Sequence, residues 1–386
     1  MDALVTDVHH RSAVAGLRGL GRAGLAVLAV GRTAGAAGLW SRHARGRAVA
    51  PSSKREPAEF AAAIGRLAVE HGPLVVYPGT DDSIDPLVDG ALPEEAILPF
   101  PDNGSVALLR DKRTTLELSA AVGLRSPSTL AEGAAGDLAG SSVPTPCIVK
   151  PARAKGPLPA TKVETSSQLE ALLGSLPADE PMIIQEAATG VLTGIAVVVA
   201  KDGTLVARHQ QTAERTWPLG AGGSSVAVSV APDEQLAAKT ADLLAQAGYW
   251  GLAQAQYIAA AGEPLLIDLN LRFWGTLPLA LASGANLPAA WHAVATGAPL
   301  PVPGPYKIGV HYRRLEADLL AAHAGSFGLL FERVPRPCTG AMWDPHDPLS
   351  AGMLAATALI DRGRQRLRRR AAARASESPF ASHAAS

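Results

Sequence analysis

The chain has 386 residues, of which 47% are hydrophobic and 18% are charged, and this composition excludes a globally disordered protein. Its 35 basic and 35 acidic residues balance to a net charge of zero, so no overall positive field is present to attract nucleic acid or an anionic membrane surface. With only two cysteines, Cys147 and Cys338, the chain is not a disulfide scaffold. The length predicts two or three domains.

The apolar segments bear on the location of the protein. The beginning of the sequence, MDALVTDVHHRSAVAGL, lacks the basic segment and the apolar run of a signal peptide. No uninterrupted apolar stretch is long enough for a membrane-spanning helix. We therefore expect a cytoplasmic protein without membrane insertion and without a nucleic-acid partner.

Short apolar segments alternate with amphipathic ones in the first part of the chain. Residues 3–6, 24–30 and 74–78 have the composition of buried strands, whereas residues 12–23 and 58–71 have helical spacing. This alternation predicts a parallel sheet covered by helices, which is an α/β arrangement.

The segment Gly79-Thr80-Asp81-Asp82 directly follows the last of these strands. It is expected at the carboxyl edge of the sheet, where ligands bind in folds of this type. Two interpretations stay open: Asp81 contacts a substrate, or Asp81 or Asp82 caps the next helix.

The middle of the chain has patterns typical of antiparallel hairpins and helices, which predicts an α+β arrangement. Predicted helices cover 112–122 and 233–247, and predicted strands cover 147–151, 182–186, 194–200, 204–209, 251–259 and 264–269.

The segment after about residue 330 has no regular pattern and ends in the arginine-rich stretch 362–370. That stretch either contacts a polyanion or is a solvated helix end that runs into disorder.

Three polar residues alternate along one predicted strand. Asp268, Asn270 and Arg272 therefore share one face of the sheet. Carboxylate and amide oxygens suit Mg²⁺, and an arginine beside them stabilises a transferring phosphoryl group. Gln256, on the neighbouring strand of the hairpin, is placed to face the same cavity. The alternative is an exposed polar sheet edge on which Arg272 pairs with Asp268.

Weaker signals elsewhere each have a plain structural alternative. Lys150 ends a strand and Lys112 begins a helix, so both are candidates to neutralise phosphate, unless they are ordinary surface lysines. The strand end at 185–186 offers backbone groups to an adenine edge, as any strand end does. The glycine-rich segment 220–225 either brings backbone amides to an anion or is a flexible loop.

These signals fall in a familiar order. A lysine opens a helix that is followed by G-x-x-x-P; a strand ending in Val-Lys-Pro comes next, then a strand ending in Gln-Glu, then Asp-Leu-Asn-Leu-Arg-Phe-Trp-Gly. In this order the sequence resembles the ATP-grasp superfamily, and within it the predicted carboxylate–amine ligases, near D-aspartate ligase-like enzymes. The resemblance runs from about residue 3 to residue 300, and CIVKPARAKG and DLNLRFWGT are its specific parts.

The resemblance implies a combined α/β and α+β architecture. It predicts an N-terminal parallel α/β (pre-ATP-grasp) domain over 1–105 and a first ATP-grasp subdomain over 106–185. A second ATP-grasp subdomain with the metal site is predicted over 186–330, and a C-terminal extension with a basic, partly disordered tail over 331–386.

The resemblance also implies roles for individual residues. Residues 153–162 match the mobile loop that covers the phosphates. The residues expected to contact ATP are Lys112, Lys150, Lys155, Gly156, Lys162, Gln185, Glu186, Ala187 and Asp268. The metal ligands match Asp268, Asn270 and Gln256. Lys150 and Arg272 match the catalytic cations, and Arg215 and Asp81 are expected to face the substrate.

The sequence departs from the usual pattern of the superfamily at several of these positions. Gln256 stands where a glutamate is usual, so one metal carboxylate is missing. Asp268 replaces a longer glutamate, Leu192 replaces an acid that grips ribose, and Leu271 replaces a common proline. Losing a charge is expected to weaken at least one ion of a two-Mg²⁺ site.

The resemblance implies an enzyme that uses ATP and Mg²⁺ to activate a carboxylate as an acyl-phosphate and join it to an amine. Both substrates are expected to be small molecules, and a homodimer is common among such ligases. The alternative is a catalytically impaired protein that binds nucleotide as a scaffold or regulator.

Overall fold

Three sheets organise the computed structural model, which describes residues 1–101, 104–153, 159–218, 222–259, 264–302 and 306–357. The first sheet has the order β3-β2-β1-β4-β5, and all its strands are parallel. Its strands are β1 (Ala3–Val5), β2 (Val27–Gly31), β3 (Ala44–Val49), β4 (Leu74–Tyr77) and β5 (Ala96–Ile97). Its helices are α1 (Arg11–Arg22), α2 (Pro57–His71) and α3 (Asp81–Asp89). The predicted parallel α/β domain is confirmed.

Two short helices, α4 (Ser105–Arg110) and α5 (Lys112–Ala121), lead into the second sheet. This antiparallel sheet has the order β6-β9-β7-β8. Its strands and helices are β6 (Thr129–Ala134), α6 (Ala135–Leu138), β7 (Cys147–Pro151), β8 (Thr161–Val163), α7 (Ser166–Gly174) and β9 (Pro181–Glu186). The sheet has a hydrophobic core of its own, which includes Val149, Leu169 and Ile184.

The third sheet has the order β14-β13-β10-β11-β12-β15-β16 and is antiparallel except where β15 pairs with β16. Its strands are β10 (Val191–Val199), β11 (Leu205–Trp217), β12 (Gly223–Val230), β13 (Gly251–Ala259), β14 (Leu265–Asn270), β15 (His311–Arg313) and β16 (Cys338–Gly340). Its helices are α8 (Glu234–Gln246), α9 (Leu277–Ala282), α10 (Leu287–Thr296) and α11 (Leu315–His323). The predicted α+β arrangement is confirmed.

Two sequence predictions about this sheet were wrong. The predicted strand over 204–209 continues to Trp217, and the glycine-rich segment, predicted as a connection between strands, opens β12 at Gly223. Val stands at every second position from Val226 to Val230, with the small residues Ser225, Ala227 and Ser229 between, and this period of two overrides the glycines that precede it. β11 and β12 therefore form a long antiparallel pair at the centre of the third sheet, and residues 219–221 lie outside the described residues.

The segment after residue 330 was predicted to be irregular, and this was also wrong. β16 pairs with β15, and residues 348–357 are helical. The arginine-rich stretch 362–370 lies outside the described residues. Across the part of the chain that the structure describes, no helix combines the length and the apolarity needed to cross a membrane.

The first and third sheets share one hydrophobic core. Three aromatic rings join them: Tyr77 of β4, Phe273 just beyond β14, and Trp291 of α10. The ring centres are 4.9 Å apart for Tyr77 and Trp291, and 5.4 Å apart for Phe273 and Trp291. Rings at these separations attract one another beyond their area of contact. The end of β14 is thereby fixed against the N-terminal sheet.

The predicted domain boundaries stay predictions. β9 continues to Glu186, one residue past the predicted end of the first ATP-grasp subdomain.

Candidate active site

The side chain of Lys150 reaches from the second sheet to the third. It lies near the end of β7 with 4% of its surface exposed, and its Nζ donates a hydrogen bond of 3.0 Å to the carbonyl oxygen of Ile267 on β14. Burial lowers the pKa of Lys150 to about 8; the carboxylate of Asp268 opposes this shift, and the charge of Lys112 adds to it. Three charged groups from three elements thus meet at one place.

A narrow cleft contains all three of these groups. Its walls include Lys112 and Thr115 of α5, Lys150 of β7, and Asp268 of β14. Asp111 caps α5, and the backbone N–H of Lys112 donates to the carbonyl oxygen of Ala152 at 2.8 Å, so the start of the helix is fastened to the end of β7. The predicted lysine pair therefore faces the predicted metal strand.

The β13–β14 pairing places four polar residues in two opposed pairs. Gln254 lies opposite Asn270, and Gln256 lies opposite Asp268. The Nδ2 of Asn270 donates to the Oε1 of Gln254 and to the Oδ2 of Asp268, each at 3.1 Å. Asp268 and Asn270 do share one face, as the alternation predicts. β14 is an edge strand, yet this face lines a cleft.

Arg272 follows β14 and reaches the N-terminal domain. It forms an ion pair with Asp81 in the first turn of α3, and its NH1 donates to the carbonyl oxygen of Phe273 at 2.9 Å. The alternative pairing with Asp268 is therefore not the one observed. Thr80, and neither Asp81 nor Asp82, is the N-cap of α3, with Ser83 completing a capping box. Asp81 serves to hold Arg272 in this structure.

Two other predicted site residues, Arg215 and Lys162, form ion pairs with side chains outside these contacts. Arg215 on β11 forms ion pairs with Asp318 and Glu332, and within the described residues it does not line either cleft that contains Asp268. Lys162 on β8 pairs with Glu164 at 2.8 Å. Lys155 and Gly156 lie outside the described residues.

The predicted hinge follows β9. The Gln185 side chain is buried and donates to the carbonyl oxygen of Pro127 at 3.1 Å. The N–H of Glu186 donates to the carbonyl oxygen of Ser128 at 2.9 Å, and the carbonyl oxygen of Glu186 accepts from Ala188 at 3.0 Å. Ala187 lies between these two bonded residues. The hinge backbone is thus engaged within the chain on either side of Ala187.

A larger cleft of about 400 Å³ adjoins the metal strand. The predicted residues Gln256, Asp268, Asn270 and Arg272 line it. Ser224 also lines it and belongs to the glycine-rich segment 220–225, for which the sequence left anion binding open. Sequence reasoning missed the other residues of the lining, which include His10, Arg11, Ser12, Gln211, Gln254, Trp274, Thr276 and Arg314. Gln254 lies two residues before Gln256 on the same strand, and this spacing was a signal that it shares the same face. No comparable pattern marks Arg11 or Arg314.

The donor set suits one Mg²⁺ ion shared with phosphates. Asp268 supplies a carboxylate, and Asn270 and Gln256 supply amide oxygens. Among the described residues, no group of three or more His, Cys, Asp or Glu is arranged to hold a metal alone. Mg²⁺ in nucleotide sites needs only one or two carboxylates, because substrate phosphates complete its octahedron. The residues present therefore fit the ion, and the lysines fit a polyphosphate.

No protein-family model and no curated protein sequence matches the chain. Solved structures do match. The biotin carboxylase of Campylobacter jejuni, solved as a complex with β,γ-ATP, has a TM-score of 0.59 and 16% identity over 80% of this chain and 74% of that chain. The L-amino acid ligase of Bacillus licheniformis has a TM-score of 0.59 and 14% identity over 79% of this chain and 76% of that chain.

The pyruvate carboxylase of Rhizobium etli has a TM-score of 0.62 and 14% identity over 80% of this chain, but this chain spans only 30% of that enzyme. At such identities the likeness is one of fold. The compared structures are ATP-grasp proteins, and the likeness covers about four fifths of this chain. The chain therefore has an ATP-grasp fold, in which a parallel α/β domain precedes the ATP-grasp subdomains.

Proposed function

We propose that this protein is an ATP-dependent ligase that activates a carboxylate as an acyl-phosphate and joins it to an amine. The observation that carries the proposal is the meeting of Lys150 and Asp268 in one cleft between two sheets. A buried ammonium group beside a carboxylate and two amide side chains is an arrangement for a metal-bound polyphosphate. The finer placement near D-aspartate ligase-like enzymes is part of the same proposal.

In the first step, ATP is a substrate. An oxygen of the carboxylate forms a bond to the γ-phosphorus, the bond from that phosphorus to the β–γ bridging oxygen breaks, and ADP leaves with the electron pair. Lys150 and Lys112 hold the phosphates by charge, and Arg272 is positioned by Asp81 to offset negative charge that develops at the reacting oxygens. Catalysis by these residues is positioning and electrostatics.

In the second step, the amine nitrogen forms a bond to the acyl carbon, the bond from that carbon to the phosphate oxygen breaks, and inorganic phosphate leaves. The nitrogen loses a proton to phosphate or water, so charge balances. Mg²⁺, when bound by Asp268, Asn270 and Gln256, supplies positive charge to the phosphates.

A second candidate function has a specific observation in its favour. Gln254 and Gln256 are both amides, so the strand opposite Asp268 contributes no negative charge to a metal. This lack of charge favours a protein that binds nucleotide without turning it over. It would act as a scaffold or regulator.

A coupled assay of ADP release separates the two functions. Panels of carboxylates and amines are supplied to the full chain, with and without Mg²⁺. We expect substrate-stimulated ADP release that Lys150→Met abolishes and that Lys54→Met, at an exposed position, leaves unchanged. Tight ATP binding without stimulated release across the panels favours the binding protein, and absence of ATP binding contradicts both.

A further inference from the structure

Two arginines from distant parts of the chain line the larger cleft. Arg11 begins α1 of the N-terminal domain, and Arg314 follows β15 of the third sheet. Both approach Glu316: the NH1 of Arg11 lies 3.0 Å from its Oε1, and the Nε of Arg314 lies 3.8 Å from the same oxygen. Two guanidinium groups thus share one carboxylate oxygen at the cleft.

The backbone is shaped to admit Arg11 at this place. A Cβ at position 275 would lie 2.9 Å from the NH2 of Arg11 and 3.3 Å from its Nε, so the end of the Arg11 side chain would have to shift. Gly275 also lines the cleft. The Arg11 guanidinium therefore lies against the backbone of Gly275, and a side chain at this position would displace it from its present place.

The positive charge of this pair is not balanced by the groups around it. Glu316 supplies one negative charge for two guanidinium groups, and Asp318, which also acts on Arg314, already pairs with Arg215 and Arg313. Burial and the charge of Arg11 lower the pKa of Arg314 by more than Tyr312, Glu316 and Asp318 raise it. Neither Nε makes a hydrogen bond to another described residue. Arg272 does not share this imbalance, because Asp81 pairs with it.

Building on the proposed ligase function, we propose that Arg11 and Arg314 form a subsite for a carboxylate of the substrate that does not itself react. Paired guanidinium groups bind carboxylates through parallel N–H donors, and such bonds are about twice as strong as neutral ones. The carboxylate belongs either to the acid, which is then a dicarboxylic acid, or to the amine, which is then an amino acid. In both cases the subsite selects small substrates that carry a carboxylate at this point over analogues that carry an uncharged group there.

Calorimetric titration of the full chain tests the subsite without requiring turnover. The probes are succinate with its monoamide succinamate, and glycine with glycinamide, at matched ionic strength. We expect one of the two acids to bind at least about tenfold more tightly than its amide. A preference for succinate assigns the carboxylate to the acid substrate, and a preference for glycine assigns it to the amine.

Variants identify the residues responsible. Arg314→Met is expected to remove the preference for the acid, and Arg314→Lys to retain part of it, because the charge stays while the planar fork is lost. Gly275→Ala is a second test, since it displaces Arg11 without changing charge. Arg66→Met, at an exposed position on α2, is the control and is expected to bind like the parent.

Equal binding of acid and amide by the parent protein would overturn the subsite, and so would an unchanged preference in both Arg314→Met and Gly275→Ala. ATP titrations of the same preparations keep the two proposals apart. Loss of ATP binding in the parent contradicts the ligase and leaves the anion preference measurable, whereas intact ATP binding without an anion preference contradicts the subsite alone.

Discussion

Lys150 holds a charge where little water reaches it. Its Nζ has one close carbonyl partner, Ile267, and the Asp268 carboxylate contributes favourable charge. Burial nevertheless lowers its pKa to about 8, so the protein pays a desolvation cost that the carbonyl and the carboxylate only partly offset. Phosphates placed beside Nζ would favour the ammonium form and raise this pKa again.

This residue predicts a pH dependence of ATP binding. Below pH 8 the amine is already charged, whereas above pH 8 binding must take up a proton, so affinity should fall as pH rises, by up to about tenfold per pH unit. Calorimetry at about pH 9, in buffers of different ionisation enthalpy, measures the uptake. We expect a substantial fraction of one proton for the parent and for Lys54→Met. Lys150→Met should show none; equal uptake in that variant would contradict the assignment.

Gln256 carries a second prediction at this scale. Gln256→Glu places a carboxylate directly opposite Asp268, where two like charges repel unless a cation lies between them. ATP binding should therefore depend more steeply on Mg²⁺, and half-maximal ADP release should require severalfold less Mg²⁺. Gln246→Glu, exposed at the end of α8, is the matched control. A sharp loss of activity in Gln256→Glu, with its fold intact, would show that the amide has a role of its own.

Elements differ in how far the sequence predicts them. The period of two along β14 and the hairpin with β13 predict that Asp268, Asn270 and Gln256 share a cleft, because strand geometry is local. The opening of β12 was missed because its glycines indicated a loop more strongly than the alternating valines indicated a strand. The meeting of Arg11 with Arg314 depends on packing between residues far apart in the chain, which no local pattern encodes.

α1 provides a prediction at the scale of an element. Alanine in place of a helical glycine usually stabilises by about 1 kcal/mol. At Gly16, however, a Cβ would lie 2.2 Å from the ring of Phe273, and overpacking of a core costs about 1–3 kcal/mol. Gly16→Ala should therefore lower the free energy of unfolding in urea. It should also lower activity, because a shift of the Phe273 ring would move Arg272, the residue directly before it.

The control for this prediction is Gly174→Ala, at the end of α7. A Cβ there would meet nothing within 4 Å, so its effect should be neutral or stabilising. If Gly16→Ala proves as stable as Gly174→Ala, α1 does not fix the segment that holds Arg272 in the way described.

At the scale of the whole molecule, the two ends of the described chain are joined by a buried ionic network. The Nε of Arg18 on α1 donates to the Oδ2 of Asp347 at 2.8 Å. Asp347 also accepts from the hydroxyl of Ser41 at 2.8 Å and from the backbone N–H of Arg42 at 2.9 Å. Asp344 lies beside the pair, 3.8 Å from the Arg18 Nε. The C-terminal segment therefore docks on the same helix whose start carries Arg11.

The last prediction concerns this docking. Burial would raise the pKa of Asp347, but the bonds from Arg18, the Arg42 N–H and Ser41 outweigh it and lower the pKa. The stabilisation of the fold by the Asp347 carboxylate is therefore complete above the ordinary carboxyl pKa of about 4. It is lost as pH falls through the lowered pKa of Asp347 in the folded protein. Asp347→Asn leaves the buried Arg18 with only the more distant Asp344 as a charge partner and should cost about 3 kcal/mol, the lower end for a broken buried pair, in the free energy of unfolding at neutral pH. That cost should shrink in acid, whereas exposed Asp179→Asn should cost little at any pH. Unfolding curves across this range measure both variants, and a cost for Asp347→Asn that stays constant into acid would contradict the ionic link between the ends of the chain.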